Sequence, residues 1–477
     1  MLIDDDASLA GRFPDHMKPS DAVLWDIEKD PVLRSTITAV ALLDRSPDWD
    51  RLVQRIDYAS RVIPRLRQRV VVPPGRISRP RWVVDPGFDL AYHLRRARVP
   101  PPGRLRDVLD LAQPLSIDPF DRARPLWEFT LVEGMEGGRA ALVQKIHHTL
   151  TDGVGGIELA LSMVDEERDA VDPELPDPPE AAPVDGLANL RSALASLPAS
   201  AFQAGLALPG AATRAAMSAV RDPLGTARRA VDVSVSLSRL MAPVPESASP
   251  ILADRSLSRR FDTIDISLAD LKAAAKAAGG SANDAFLAAV VEGLRRYHER
   301  HDVTVDELRL TMPVSLRHEG DDLGGNHFAP VRFTVPTDIT DPVVRMARLG
   351  SIARRWRSEP ALDYTDAVAA VLDRMPTTVT TGVFGAMLKH VDAVVTNVPG
   401  FPARAYLAGA EVTRQYAFAP PTGAAINVAL LSHVDTVCVG VVSDTAAVPD
   451  DEVLLACLIE GFDDVLRIID HHAHRTG

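Results

Sequence analysis

His147 and His148 stand side by side at the end of an apolar stretch, and Asp152 and the glycines Gly153, Gly155 and Gly156 follow them. The pattern is His-His-x-x-x-Asp-Gly. Ala140 to Ile146 is apolar and β-branched apart from Gln144 and Lys145, and it reads as a buried strand. Neighbouring side chains at a strand end point to opposite faces. The two imidazoles therefore do not converge on one small ion, and a metal-binding pair on a helix prefers i, i+4 spacing. No metal is expected here. The pattern suits one imidazole facing a cavity with the other packed behind it. A single positioned imidazole is what general-base chemistry needs, because its ordinary pKa lies near neutrality and one ring nitrogen can take a proton. Asp152 can turn back to fix the loop, and Gly153 allows a positive φ or close backbone approach. Without its context, a histidine pair at a strand end is an ordinary polar surface feature.

The elements around this stretch must deliver the ring. Trp127 to Glu133 and Ala140 to Ile146 form a hairpin through Gly134-Met135-Glu136-Gly137-Gly138, and Val154 to Val164 reads as helical. Upstream, a helix is expected after Met17, capped by Ser20 or Asp21. A strand is expected over Ser35 to Leu43, an amphipathic helix over Asp50 to Val70 and a short helix over Leu105 to Ala112. Downstream, Phe261 to Ile266, Leu308 to Val314, Val391 to Val395 and Val437 to Val442 read as strands. Helices are expected over Leu268 to Ala278, from Ser281 to Arg300, over Asp341 to Arg357 and Tyr364 to Leu372, and over Asp450 to His471. Ser281 and Asp284 have the spacing of a capping box. Strands alternating with helices indicate an α/β layer architecture.

The chain has 477 residues, 46% of them hydrophobic, with a formal net charge of -13. That length suggests two domains, and the charge argues against nucleic acid as a partner. Cys438 and Cys457 lie in apolar runs and offer neither a disulfide framework nor metal spacing. The N-terminus is acidic without an apolar core, so no signal peptide is expected, and no run reaches the roughly 18 apolar residues of a spanning helix. From Asp165 to Asp185 the chain is acidic and proline-rich, which marks a linker. Leu187 to Leu240 is Ala-rich and locally basic. It reads as a helical crossover packed on the protein, with a peripheral membrane contact as the alternative. The expected division is a flexible tail over 1–16, an N-terminal subdomain over 17–165 carrying the histidine motif, linker and crossover over 166–255, and a C-terminal subdomain over 256–477.

His147-His148-Thr149-Leu150-Thr151-Asp152-Gly153 resembles the active-site motif of the CoA-dependent acyltransferase superfamily. Over roughly residues 17 to 475 the chain resembles its bacterial wax ester synthase/diacylglycerol acyltransferase family. The carrying segments are Pro19-Ser20-Asp21, Pro125-Leu126-Trp127, Asn283-Asp284, Met312-Pro313-Val314-Ser315-Leu316-Arg317, Gly325-Asn326, Asn397-Val398-Pro399-Gly400 and Gly423 to Asn427. Ile426 stands where many members carry leucine, and the Ala-rich insertion between the halves is a second departure. Pro125 and Trp127 themselves read as a rigid corner and an apolar anchor.

The resemblance implies an α/β fold of two chloramphenicol-acetyltransferase-like subdomains, mixed sheets with flanking helices, forming a tunnel at their interface. It implies transfer of a long-chain acyl group from acyl-CoA, a substrate rather than a cofactor, to diacylglycerol or a fatty alcohol. His148 is the expected base, with His147, Asp152 and Gly153 holding the loop. Asn283 or the amides at its helix start are candidates for an oxyanion, beside Asp284. Arg317, Ser315 and Asn326, with His318, are candidates for contacts with CoA. The chain has no Gly-x-Ser-x-Gly elbow, and neither cysteine carries a nucleophile signature, so direct transfer in a ternary complex is expected. The alternatives are a wax ester synthase and a homologue that binds lipid or CoA without turnover. The expected location is cytoplasmic, with the inner membrane or lipid inclusions as candidate peripheral surfaces.

Overall fold

The computed structural model describes residues 13–73, 79–181, 235–239, 241–317 and 325–470. The expected hairpin is its centre. Strands β5 (Trp127–Glu133) and β6 (Ala140–His147) pair antiparallel, and Gly137 and Gly138 between them both have φ of 72°. β1 (Thr36–Leu43) runs antiparallel to β6, with Thr36 opposite His147. β4 (Leu94–Arg98) adds to the other edge, parallel to β5. A small ribbon of β2 (Gln68–Val71) and β3 (Arg81–Val84) stands apart.

The second sheet comprises β7 (Arg259–Ser267), β8 (Glu307–Ser315), β9 (Phe328–Pro336), β10 (Ala393–Val398), β13 (Ile426–His433) and β14 (Thr436–Asp444), in the order β7-β14-β13-β10-β8-β9. β10 is parallel to both neighbours and the other pairs are antiparallel. The remaining strands, β11 (Tyr406–Leu407) and β12 (Ala410–Phe418), lie late in the chain but belong to the first sheet. β12 pairs antiparallel with β1. It also faces the second sheet, where Tyr416 and Arg414 both bond Asp265 at 2.8 Å. The Phe418 ring stacks on Phe261 at 4.2 Å. One hydrophobic cluster accordingly mixes Val40, Val143 and Phe418 with Phe261, Cys438 and Val442.

The helices include α1 (Pro19–Ile27), α2 (Trp49–Val62), α3 (Leu90–His93), α4 (Leu105–Ile117), α5 (Gly153–Leu161), α6 (Leu268–Ala277), α7 (Ala282–Arg300), α8 (Pro342–Arg357), α9 (Thr365–Leu372), α10 (Thr377–Leu388) and α11 (Asp451–Leu466). The second sheet's core packs on α7, α8 and α11. Where α7 meets α11, a Cβ on Gly293 would lie 2.7 Å from Leu458 Cα, and one on Gly461 would lie 2.3 Å from the Ala289 carbonyl. Both glycines let the backbones touch.

Several expectations are corrected. The helix read over Asp50 to Val70 stops at Val62. Pro64 disfavours helical geometry at Ile63 and starts a short 3₁₀ turn before β2. The helix read over Leu105 to Ala112 continues through Pro114 to Ile117. The cap of α1 is Lys18, with Pro19 in the first turn, so Asp21 lies inside the helix. The described part of the acidic segment has no regular structure, but it is pinned to the first subdomain. Asp165 pairs with Arg55 and Asp172 with Arg51, while Arg168 reaches Asp44 at 2.9 Å. Most of the Ala-rich crossover and His318 lie outside the described residues.

Candidate active site

Strand periodicity builds the cavity. The first sheet contributes Ile37 and Ala39 of β1, Gln144 and Ile146 of β6 with His148 beyond it, and Gln415 and Ala417 of β12. The facing sheet contributes Thr311, Pro313 and Ser315 of β8, Phe328 and Pro330 of β9, and Asn427, Ala429 and Leu431 of β13. These are alternate positions on each strand, so one face of each sheet looks into the space. Leu24 and Ile27 of α1, Ile157 and Ala160 of α5, and Phe384 and Leu388 of α10 close it to about 250 Å³.

His148 lies just past the end of β6, and its backbone N–H donates to Ser35 O at 2.9 Å. Its Nδ1 is 2.6 Å from Asn326 Oδ1. The Asn326 amide nitrogen donates to Asp21 Oδ1 at 2.6 Å and to the His148 carbonyl at 2.7 Å. Oδ1 is therefore the acceptor, Nδ1 carries the proton, and Nε2 holds the lone pair. Phe328 packs on the ring with centroids 5.1 Å apart. Burial, opposed by the Asn326 bond, holds the His148 pKa below the ordinary histidine value.

Asp21 is the anchor behind Asn326. Its Oδ1 also accepts the Asn326 backbone N–H at 3.0 Å. Burial pushes its carboxyl up to about 6 against those two bonds. Gly325 has φ of 82°, and a Cβ there would lie 2.5 Å from Asp21 Oδ2. Glycine is what allows this approach.

His147 takes the other face. It is 1% exposed, and its Nδ1 accepts from Thr149 N at 3.0 Å. Its Nε2 lies 2.9 Å from Glu28 Oε1, and Trp25 and Phe120 pack edge-on around the ring. Asp152 ties the loop together. It accepts from Gly155 N at 2.9 Å, from Arg317 at 3.0 Å and from His327 N at 3.1 Å. Gly153 is the first residue of α5.

The other sequence candidates separate. Ser315 lines the cavity, and its Oγ accepts from Arg317 N at 3.3 Å. The Arg317 guanidinium is engaged with Asp152, and the Asn326 amide with His148 and Asp21. Asp284 is buried in the capping box with Ser281 and pairs with Arg354 at 3.4 Å. The Asn283 oxygen accepts from Asn397 at 3.2 Å, and Asn397, not Asn283, borders the cavity. Trp127 is core, its indole N–H donating to Leu66 O at 2.8 Å. The sequence reading gave no site role to Asp21, Glu28, Ser35 or Phe328. Among the described residues, no three His, Cys, Asp or Glu side chains are grouped to hold a metal, and no helix is long and apolar enough to cross a membrane.

A cavity between two mixed sheets, with a histidine entering from one and an asparagine from the other, defines the two-subdomain acyltransferase architecture. Solved structures share the fold. A wax ester synthase/diacylglycerol acyltransferase from Marinobacter aquaeolei matches with a TM-score of 0.63 at 21% identity, over 95% of this chain and 98% of that one. The starter condensation domain of rhizomide synthetase, solved with C8-CoA and Leu-SNAC, matches with a TM-score of 0.59 at 14% identity, over 98% and 96%. Residues 17–286 match the wax ester synthase/diacylglycerol acyltransferase catalytic domain and residues 324–465 match the WS/DGAT C-terminal domain; the chain belongs to this family and is an acyltransferase. A candidate diacylglycerol O-acyltransferase of Mycobacterium tuberculosis is 42% identical over 98% of this chain and 94% of its own. A second from that organism is 30% identical over 87% and 89%.

Proposed function

We propose that this enzyme transfers a long-chain acyl group from acyl-CoA to the free hydroxyl of diacylglycerol, releasing triacylglycerol and CoA. Both substrates are bound together and His148 is the general base. The observation that carries this reading is the His148 ring, with Nδ1 tied to Asn326 at 2.6 Å on the wall of an apolar cavity. The mycobacterial relatives described as diacylglycerol acyltransferases support the choice of acceptor.

In this mechanism Nε2 takes the acceptor's hydroxyl proton as its oxygen attacks the thioester carbonyl. The imidazolium that forms donates through Nδ1 to Asn326. The tetrahedral oxyanion accepts a hydrogen bond from the hydroxyl of Ser315, a residue that lines the cavity. Collapse of the intermediate breaks the carbon–sulfur bond. The departing sulfur takes the proton from Nε2, which restores the neutral ring. His147 and Asp152 shape the loop and exchange no protons.

Release of CoA thiol from palmitoyl-CoA, with diacylglycerol or hexadecanol as acceptor, tests the reading. Turnover with diacylglycerol that His148→Ala abolishes supports it. Turnover confined to hexadecanol makes the enzyme a wax ester synthase. A folded His148→Ala variant with wild-type turnover would sink the mechanism.

A further inference from the structure

Stepping back from His148 along β6, the inward residues are Ile146, Gln144 and Leu142. Strand rise places Gln144 about 13 Å from His148 along the strand. β1 sets Ile37 opposite Ile146 and Ala39 opposite Gln144, and β12 sets Ala417 opposite Ala39 and Gln415 opposite Ala41. Leu159 and Ala160 of α5, and Met163 just beyond it, line the same arm.

Gln144, Ala160, Met163 and Gln415 line this cavity and also a second, smaller one of about 20 Å³. The smaller space continues in the same direction, among Ala41, Leu142, Phe401 and Val412. The four shared residues are therefore a partition between two stretches of one apolar path. Its chemistry differs from that of the path. Gln415 is 3% exposed, and its Oε1 has no hydrogen-bond partner among the described residues. A buried amide oxygen left in that state is costly and uncommon.

We propose that Met163, Gln144 and Gln415 form the end wall that sets the length of hydrocarbon chain accepted in this arm. The proposal rests on the acyl-transfer reading and adds a determinant of chain selectivity. A chain that stops short of the wall leaves room for water on Gln415 Oε1. A longer chain must displace Met163 and press methylenes against an unpaired amide oxygen. Two effects, one steric and one polar, therefore act at the same depth. The hydrocarbon can come from the thioester or from the acceptor, and the experiment separates these.

Turnover is measured with acyl-CoAs from octanoyl to eicosanoyl at fixed diacylglycerol, then with alcohols from octanol to eicosanol at fixed palmitoyl-CoA. Wild type, Met163→Ala and Gln415→Leu are compared. Both variants are expected to move the kcat/KM optimum to longer chains in one of the two series. The gain is about tenfold for a chain two methylenes longer than the wild-type optimum. The series that moves identifies which substrate uses the arm. Calorimetric binding of both chain series to all three proteins gives the same readout without turnover. Length-dependent binding that the variants shift, with no turnover by the wild type, would remove the acyl-transfer reading and leave the wall standing. Folded variants with unchanged length profiles in both turnover and binding would overturn the wall.

Discussion

Asn326→Ala removes the group that orients the proposed base without touching the base itself. In the wild type the Asn326 oxygen lies 2.6 Å from His148 Nδ1. During transfer the ring becomes a cation, so this contact becomes a hydrogen bond to a charged donor. Such bonds contribute about 1.5–3 kcal/mol, and the loss corresponds to a fall of about 10- to 100-fold in kcat/KM. A second effect has a definite sign. The Asn326 bond raises a His148 pKa that burial lowers, so the variant's ring has a lower pKa still. The acid limb of the pH–rate profile should move to lower pH as the rate falls. Asp21 loses the Asn326 side-chain amide donor at 2.6 Å and keeps the backbone N–H of residue 326 at 3.0 Å. This costs about 1–3 kcal/mol of stability. CoA-thiol release from pH 5 to 9 at saturating acceptor reads the first two effects, and calorimetric melting reads the third. A folded Asn326→Ala variant with wild-type kcat/KM and an unmoved acid limb would refute the reasoning.

Glu28→Gln should weaken the fold at neutral pH and have no effect in strong acid. Burial acts to raise the Glu28 carboxyl, but His147, the Ser35 N–H and Arg122 outweigh it and hold the pKa at about 2. A carboxylate depressed below its unfolded value of about 4.3 stabilises the fold above that value and loses this as pH falls toward 2. Melting should show a deficit of up to about 3 kcal/mol at pH 7 that closes over that window, and a pH-independent deficit would contradict the pairing. Arg317→Ala should lower kcat about tenfold with a small change in KM for acyl-CoA, because Arg317 holds Asp152 at 3.0 Å; a raised KM at unchanged kcat would mean that it binds CoA instead. Gly461→Ala should lower Tm through a cost of about 1–3 kcal/mol at the Ala289 carbonyl. Gly382→Ala, where a new Cβ meets nothing within 4 Å, serves as its control, and equal melting of the two would refute the close approach.

The local half of this site was legible in the sequence. The apolar run of β6 fixed a strand, and adjacent histidines at its end had to face opposite ways. That one imidazole faces the cavity and the other packs behind it follows from that alone; the choice of His148 came with the family resemblance, and the Glu28 partner of His147 came only with the fold. Asn326 and Asp21 were visible as residues, but their use was not. The bonds joining them to His148 and to each other span 178 and 305 positions, and no local pattern encodes a contact at that separation. β12 escaped the reading for a different reason. Its inward face carries Gln415 and Ala417 while Tyr416 and Phe418 are buried on the other side, and the consecutive polar residues Thr413, Arg414 and Gln415 break the alternation that marks a half-buried strand. The helix over-read at Val62 is the opposite error, where a sustained apolar period concealed the stop at Pro64.

The position of β12 accounts for the setting of the proposed base. This strand joins the first sheet by its backbone and the second by its side chains, so the two sheets meet along a shared element and not across a hinge. The space between their inner faces is then mostly apolar and shaped by strand pairing. Burial there lowers the His148 pKa and so favours the neutral ring that the proposed base needs. The same burial would penalise the cation formed in the proposed transfer. The Asn326 oxygen, held in place by the buried carboxylate of Asp21, would offset that penalty with a fixed dipole that needs no reorganisation. The motif histidine comes from one half of the chain and its compensating partner from the other. The docking of the halves therefore creates both the apolar space that favours the neutral base and the polar contact that tolerates its charge.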